Sequence, residues 1–333
     1  MIKTPDPLNV ELPKPKRLRE QFREWMVFHH YSPRSVDTYI ARVLDFVLWS
    51  GKRDPLTMGA VEVNAYLSHL ANVRRVTATT QRQALCALVR FYDGCVGRPL
   101  GDIGKFAFAS TPSRLPVVMS SGEVRRVLEA LPPPHRLMAQ LLYGAGLRLM
   151  ECCRLRVKDV DFERWVVNVR AGKGDKDRNV PLPRSIVADL RAHLACQRAR
   201  FAADGGWPVH LPGALLRKFP GYEREWRWQY VFAAKSLSTD PTDGRLKMHH
   251  VHENSLQKAV HAAVGRVGLS KRVTCHTFRH SYATHLIESG TGIEDIKELL
   301  GHTRLETTMI YLHVAVAPEK RIASPLDRLE DGE

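Results

Sequence analysis

The stretch Cys275–Leu312, CHTFRHSYATHLIESGTGIEDIKELLGHTRLETTMIYL, decides how the second half of the chain folds. Phe278, Tyr282 and Leu286 follow one another at a spacing of four, which is the period of an apolar helical stripe. Gly290 then interrupts the pattern. The stretch therefore predicts a helix that begins near Cys275 and ends at Gly290.

A second helix is predicted directly downstream. Ile293, Ile296 and Leu300 form its apolar stripe, and Gly301 stands where a left-handed C-terminal residue is wanted. Because the helix ends at this glycine, His302 is predicted to lie in a tight turn.

A third helix is predicted to start at the capping box Thr303 to Glu306. Tyr311 is offset by roughly 100° or more from the apolar stripe of this helix. The stripe is expected to point inward and consists of Leu305, Met309 and Leu312. The Tyr311 hydroxyl is therefore predicted to face a site beside the core.

The polar residues of this stretch are suited to phosphodiester chemistry. A guanidinium such as that of Arg279 matches the charge of a phosphate and keeps its proton. His276 and His302 can donate hydrogen bonds or move protons near neutral pH. Tyr311 is a weak nucleophile alone, but nearby cations favour its phenolate. Together they predict covalent attack of Tyr311 on a phosphate, without a metal.

Two upstream segments complete the candidate site. LLYGAGLRLMECCRLRVKDVDF places Arg148 after a glycine-rich turn, with Glu151 three residues on. That pair could also be an ordinary helical ion pair. VVNVRAGKGDKDRNVPLP predicts two strands joined by a turn that carries Lys173.

The motifs GLRLMECCRL, GKGDKDR, HTFRHSYATHL and LLGHTRLETTMIYLH, in this order, closely resemble those of the tyrosine recombinase (phage integrase) family. The resemblance implies that Arg148 and Arg279 clamp the scissile phosphate. It also implies that His302 donates a hydrogen bond to that phosphate and that His276 helps with phosphate binding and proton transfer.

The same resemblance assigns the remaining roles. Tyr311 would form a 3′-phosphotyrosine, and Lys173 would protonate the departing 5′ oxygen. Glu151 would support the cluster by hydrogen bonding. The phosphotyrosine conserves the energy of the broken bond, so rejoining needs no ATP, and no cofactor is expected.

Composition agrees with a nucleic-acid partner. The 333 residues carry 50 Lys and Arg against 35 Asp and Glu, a formal net charge of +15, which favours a polyanion. We expect a cytoplasmic protein with no membrane partner, because no apolar run has the length of a signal peptide or a membrane span. The six cysteines show no Cys-x-x-Cys pairing, which indicates reduced thiols.

The first half of the chain predicts a separate helical domain. Residues 1–15 are proline-rich and expected to be flexible, and four helices are predicted over 16–98. The resemblance identifies them as the core-binding (SAM-like) domain, which grips DNA. Side chains expected to touch phosphates, or equally to form a solvated helix face, are Arg74, Arg75, Thr79, Gln81 and Arg82.

The second half is predicted to be the catalytic domain. Residues 99–113 have a linker composition, and 114–333 would form a domain of the DNA breaking-rejoining enzyme fold. The whole protein is thus expected to be mainly α with a small antiparallel β-sheet. A capping box at Ser120 and Glu123 predicts a helix, and another helix is predicted over about 185–200.

Residues of about 202–250 form a long, aromatic and basic insert. It resembles the added segment of integron integrases, which implies a hairpin folded from one DNA strand, with protruding bases, as substrate. Aromatic and histidine rings stack on such bases. The candidate rings are Trp226, Trp228, Tyr230, His249 and His250. Each tryptophan could instead form a local core, and metal binding by the histidines is disfavoured because no Cys or carboxylate cluster is near.

The sequence leaves three candidate functions. The first is integron-type recombination of gene cassettes, with four protomers holding two sites. The second is the same chemistry on ordinary duplex sites, as in phage integrases and Xer-like resolvases, and the insert argues against it. The third is DNA binding without catalysis, which would not require a nucleophile. A tail near Ser324-Pro325-Leu326 is a hypothetical docking segment for a neighbouring protomer.

Overall fold

The computed structural model describes residues 18–110, 115–170 and 177–315. The chain divides into two compact units, Met1–Ser113 and Arg114–Glu333. Each unit has its own buried apolar cluster. The proline-rich start and the hypothetical docking tail both lie outside the described residues.

The first unit contains the expected four helices. They are α1 (Leu18–Phe28), α2 (Pro33–Trp49), α3 (Ala60–Asn72) and α4 (Ala78–Phe91). The hydroxyl of Ser32 caps α2 by accepting the Ser35 N–H, and Thr77 caps α4 by accepting the Thr80 N–H. These side-chain caps fix where the two helices begin.

Residues 103–107, which follow α4 in the first unit, are hydrogen-bonded to its helices. Asn64 donates hydrogen bonds to the carbonyls of Ile103 and Lys105, at 2.8 and 2.9 Å. The amide nitrogen of Gln81 donates to the Ala107 carbonyl. Gln81 is only 4% exposed, so the expectation that its side chain contacts DNA phosphates is wrong.

The other candidate DNA-contacting residues of this unit are at its surface. Arg75, Thr79 and Arg82 are exposed. Arg74 forms an ion pair with Asp45 at 2.6 Å. Exposed pairs of this kind exchange readily with solvent, so these side chains remain accessible to a polyanion.

The second unit is mainly helical around a small antiparallel sheet. Its first helices are α5 (Ser121–Glu129), α6 (His135–Gly144) and α7 (Leu149–Cys153). The sheet contains β1 (Val160–Asp161), β2 (Val166–Val169) and β3 (Arg178–Pro181), in the order β1-β2-β3. The predicted hairpin is confirmed, with Val167 opposite Val180. Its tip, which includes Lys173, lies outside the described residues.

The insert folds around its own small core. After α8 (Val187–Ala203) come α9 (Gly213–Lys218), β4 (Ser238–Thr239) and β5 (Leu246–Lys247). The buried residues of this small core are Trp207, Val209, Leu211, Tyr230 and Met248. Trp226–Trp228 is a single 3₁₀ turn.

Four helices complete the unit: α10 (Glu253–Arg266), α11 (Cys275–Glu288), α12 (Ile293–Leu300) and α13 (Glu306–Met309). The first two helices predicted from the opening stretch, α11 and α12, are confirmed. Gly301 is left-handed at φ 61° and ψ 50°, as its position after the apolar stripe indicates. In the described residues, no helix combines the length and apolar character that a membrane crossing requires.

The prediction for the third helix is wrong in two respects. α13 is one short turn, and the side chain of its N-cap residue, Leu305, makes no capping bond. Met309 and Leu312 are 43% and 45% exposed, whereas Thr308 and Tyr311 are at most 2% exposed. The polar face turns inward because both residues have hydrogen-bond partners there.

Candidate active site

Arg279 lies at the centre of the candidate site and is 4% exposed. Its guanidinium donates to the carbonyls of Gly146 and Leu300. Gly146 has φ +62°, and a Cβ there would lie 2.5 Å from a ring carbon of Tyr282. The glycine-rich turn therefore lets its backbone approach α11 and hold the guanidinium.

Glu151 orients the second candidate clamp. One of its carboxylate oxygens accepts from Nη1 of Arg148 at 2.8 Å, and the other accepts from the Arg148 backbone N–H at 2.7 Å. Nη2 of Arg148 also donates to the Gly301 carbonyl at 3.2 Å. The pair is thus more than a surface ion pair, because it ties the start of α7 to the turn after α12.

Arg178 is a further member of the cluster that the sequence motifs did not indicate. It lies on β3 and donates to both carboxylate oxygens of Glu151, at 2.9 and 2.7 Å. Its Nε donates to the Leu299 carbonyl at 2.9 Å. Burial raises the pKa of Glu151, but hydrogen bonds from Arg178 and Arg148 outweigh it and lower that pKa to about 2.

We expect Arg178→Ala to destabilise the protein by about 3 kcal/mol, because it leaves a buried carboxylate with half of its partners. Arg148 should lose its fixed orientation, and strand cleavage should slow. Arg164→Ala, at an exposed position near the sheet, is the matched control and should change stability by less than about 0.5 kcal/mol. Thermal unfolding and single-turnover cleavage measure both effects, and equal behaviour of the two variants would contradict this role.

His302 faces the same guanidinium cluster. Its Nε2 lies 3.3 Å from Nη2 of Arg279. Its Nδ1 is hydrogen-bonded to the buried Thr308 hydroxyl at 2.9 Å. Thr308 therefore fixes the ring with Nε2 towards Arg279.

Tyr311 lies beside this cluster. Its ring stacks on that of His302 with centroids 6.4 Å apart, and its hydroxyl is hydrogen-bonded to Nδ1 of His280 at 3.0 Å. Burial raises the pKa of Tyr311, although Arg279 and Arg148 act in the opposite direction. The expected preference for phenolate is thus opposed by burial, and the hydroxyl is protonated at neutral pH.

His276 lies one helical turn before His280, with ring centroids 6.4 Å apart, and is exposed. Partial desolvation of the ring and the charges of Arg279 and Arg148 lower the pKa of His276. The structure thus brings five of the six predicted catalytic residues into one unit. The sixth, Lys173, falls outside the described residues.

The charges of the described cluster favour an anion. Arg148, Arg178 and Arg279 supply three positive charges, and Glu151 supplies one negative charge. Burial lowers the pKa of Arg279 to about 9, which still leaves it protonated at neutral pH. An excess of two positive charges at a partly buried site is suited to a phosphate that gains charge in its transition state.

A groove of about 800 Å³ extends from this cluster to the insert. Arg148 and Glu151 line one part, and Trp228, His249 and His250 line another. Its basic lining comes from Arg154, Arg156, Lys158 and Arg170. Arg148 and Glu151 therefore share one cavity with the insert, and among the described candidate catalytic residues Arg148 is the one that lines it.

The two candidate tryptophans of the insert pack against neighbouring side chains. Trp226 packs on the main core beside Phe201, with centroids 5.6 Å apart. Nζ of Lys158 lies 3.3 Å from the centre of the Trp228 ring. The rings of Trp226 and Trp228 are half-buried, so neither is a freely projecting ring.

His249 and His250 are half-buried in the groove wall. Nδ1 of His250 is hydrogen-bonded to the Val251 carbonyl at 2.8 Å, and its ring meets the edge of Tyr230. Nε2 of His249 is buried and has no partner among the described residues.

The comparisons with known proteins agree with this geometry. The model of the phage integrase family matches residues 118–317, and that of the phage integrase N-terminal SAM-like domain matches 18–102. The chain belongs to the phage integrase family. This tyrosine recombinase has the expected mainly helical fold, with a SAM-like domain before the catalytic domain.

Two curated relatives span nearly the whole recombinase. An integrase/recombinase of Escherichia coli is 44% identical over 320 residues, covering 94% of each chain. The tyrosine recombinase XerA of Thermococcus kodakarensis is 32% identical over 314 residues, covering 91% of this chain and 93% of the relative. The recombinase is therefore an enzyme of the site-specific DNA recombinase class.

A solved structure shows the same fold. The XerH site-specific recombinase, crystallised with its palindromic difH substrate in a post-cleavage complex, is similar with a TM-score of 0.60 at 19% identity. The match covers 94% of this chain and 83% of XerH.

Proposed function

We propose that this recombinase is of the integron type and integrates and excises gene cassettes at sites folded from a single DNA strand. The observation that carries the proposal is the shared groove, whose wall runs from Arg148 to the insert residues His249 and His250. A phosphate bound by Arg148 and a base displaced from the duplex would then occupy one cavity.

The proposed catalytic roles are those that the family motifs imply, and the geometry of the described residues supports them. Arg148 and Arg279 bind the scissile phosphate, and His302 donates a hydrogen bond to it through Nε2. Tyr311 attacks the phosphorus and forms a 3′-phosphotyrosine, while Lys173 protonates the 5′ oxygen. The freed 5′ hydroxyl of a partner strand then attacks the phosphotyrosine, within an assembly of four protomers on two sites.

The insert side of the groove supports recognition of a protruding base. Nε2 of His249 and Nε1 of Trp228 are both buried there without a partner among the described residues. A buried polar nitrogen without a partner costs free energy, so a polar ligand edge would be favoured. The half-buried His249 and His250 rings offer surfaces on which a base stacks.

DNA as the partner is supported by charge and by the relatives. The formal net charge is +15, and the groove has a basic lining. The similar XerH structure contains its DNA substrate. On the first unit, the exposed side chains of Arg75 and Arg82 would contact phosphates of the same DNA.

The test is covalent trapping in EDTA on two labelled substrates, a folded single-strand cassette hairpin and the matching duplex. We expect a protein–DNA adduct on the hairpin and little on the duplex. His249→Ala combined with His250→Ala should reduce hairpin trapping about 10-fold, since stacking contributes about 1–3 kcal/mol per base. His261→Ala, exposed on α10, is the control and should have no effect.

The alternative is the same chemistry on ordinary duplex sites, and the identity to the XerA relative favours it. An adduct on the duplex alone would assign the protein to that class. Tight, salt-sensitive binding to both substrates without any adduct would instead indicate DNA binding without catalysis.

A further inference from the structure

His280 contacts the reacting atom of the proposed nucleophile and has no role in the mechanism above. It follows Arg279 on α11, and its Nδ1 lies 3.0 Å from the Tyr311 hydroxyl oxygen. The two ring centroids are 5.6 Å apart. Among the described side chains, this is the hydrogen bond that the Tyr311 hydroxyl makes.

The attack requires the phenol to lose its proton, because oxygen must bond to phosphorus. Burial raises the pKa of Tyr311, so the proton needs an acceptor. Burial and the neighbouring His276 and Arg279 lower the pKa of His280 to about 4. The His280 ring is therefore neutral at physiological pH, and with its proton on Nε2 it presents the Nδ1 lone pair to the phenol.

The other two histidines of the candidate site are placed differently. His302 is fixed by Thr308 and turns Nε2 towards Arg279, where the phosphate is expected. His276 is exposed, one turn away from His280. Of these rings, His280 is the one within hydrogen-bonding distance of the phenolic oxygen.

We propose that His280 is the general base that takes the proton from Tyr311 during cleavage and returns it during rejoining. The Tyr311 oxygen–phosphorus bond forms as the bond from phosphorus to the 5′ oxygen breaks. The phenolic proton moves to Nδ1 of His280, and the 5′ oxygen receives its proton from the general acid. This role rests on the proposed function of Tyr311 as nucleophile.

Bound DNA would make the transfer easier. The negative charge of the phosphate grows in the transition state. It offsets the effect of the Arg279 charge on the pKa of His280 and so stabilises a protonated His280. Transfer concerted with attack is therefore favoured over ionisation of the phenol in the free enzyme.

The first test is single-turnover cleavage by His280→Asn. The Asn amide oxygen replaces Nδ1 as a hydrogen-bond acceptor but does not take up a proton. We expect the rate to fall about 10²- to 10⁴-fold, which is the usual contribution of general acid–base catalysis. Thermal unfolding and DNA binding should stay near those of the wild type.

The second test separates the base from the acid. A substrate with sulfur in place of the bridging 5′ oxygen has a leaving group that needs no proton. It should restore cleavage to Lys173→Ala but leave His280→Asn slow. Added imidazole should partly rescue His280→Ala, which opens space beside the Tyr311 hydroxyl.

A wild-type cleavage rate in His280→Asn, or its rescue by the sulfur substrate, would overturn the inference. Tyr311→Phe, tested in parallel, separates the two proposals. An adduct formed by Tyr311→Phe would refute the nucleophile itself, whereas no adduct there together with normal cleavage by His280→Asn would refute only the base.

Discussion

Tyr311→Phe should abolish covalent attachment to DNA while the fold and DNA binding persist. The phenyl ring can keep its place because the Tyr311 ring packs in an apolar cluster with Ala283, Ile296 and Leu300. Only the hydroxyl and its hydrogen bond to His280 are lost, at a cost of about 1 kcal/mol. Denaturing gels of trapped complexes measure the adduct, and thermal unfolding measures the fold.

Tyr282→Phe is the matched control. Tyr282 is 7% exposed and belongs to the same apolar cluster. Its loss of a hydroxyl should leave the adduct at the wild-type level. Loss of the adduct in both variants would indicate damage to the cluster, and a surviving adduct in Tyr311→Phe would require another nucleophile.

The second large effect is expected from Arg279→Lys. The charge is kept, but an ammonium lacks the planar fork that donates to the Gly146 and Leu300 carbonyls while facing the phosphate. We expect single-turnover cleavage to slow by about 10²- to 10³-fold, the usual loss when a preorganised donor to a developing oxyanion is removed.

Arg164→Lys is the control for an arginine-to-lysine substitution, because Arg164 is exposed and has no proposed role. This variant should cleave at the wild-type rate. DNA binding by Arg279→Lys should weaken far less than cleavage, because Arg148 still contacts the phosphate in the ground state. Near-normal cleavage by Arg279→Lys would show that positive charge alone suffices and would contradict the proposed clamp.

The sequence predicts well those elements whose causes are local. α11 and α12 form where the apolar stripes lie, and Gly301 takes the left-handed conformation that ends α12. The capping box at Ser120 and Glu123 likewise starts α5. In each case, a few neighbouring residues determine the conformation.

The failures depend on contacts between distant residues. The periodicity of α13 favours an apolar inner face, but hydrogen bonds to His280 and His302 hold its polar face inward. The sequence predicts an exposed side chain for Gln81, yet its amide nitrogen donates a hydrogen bond to the carbonyl of Ala107, 26 residues away. Such partners come together only in the folded chain.

The candidate site shows the same division. The types and order of its motifs indicate the residues with a direct role, such as Arg148 and Tyr311. Arg178 was missed although it lies inside a quoted motif, because its partner Glu151 is 27 residues away. His280 was missed because its partner is 31 residues away. His280 directly follows the predicted catalytic residue Arg279, and this adjacency is the signal that could have indicated its role.

The most direct test of the account is to locate the attached nucleotide. Trypsin cleaves after Arg304 and Lys320, which gives a peptide, LETTMIYLHVAVAPEK, that holds one tyrosine, Tyr311. The trapped hairpin adduct would be digested with nuclease and trypsin, and the peptide sequenced by mass spectrometry. We predict that the remaining nucleotide is attached to Tyr311. A nucleotide on any other residue, or on another peptide, would contradict it.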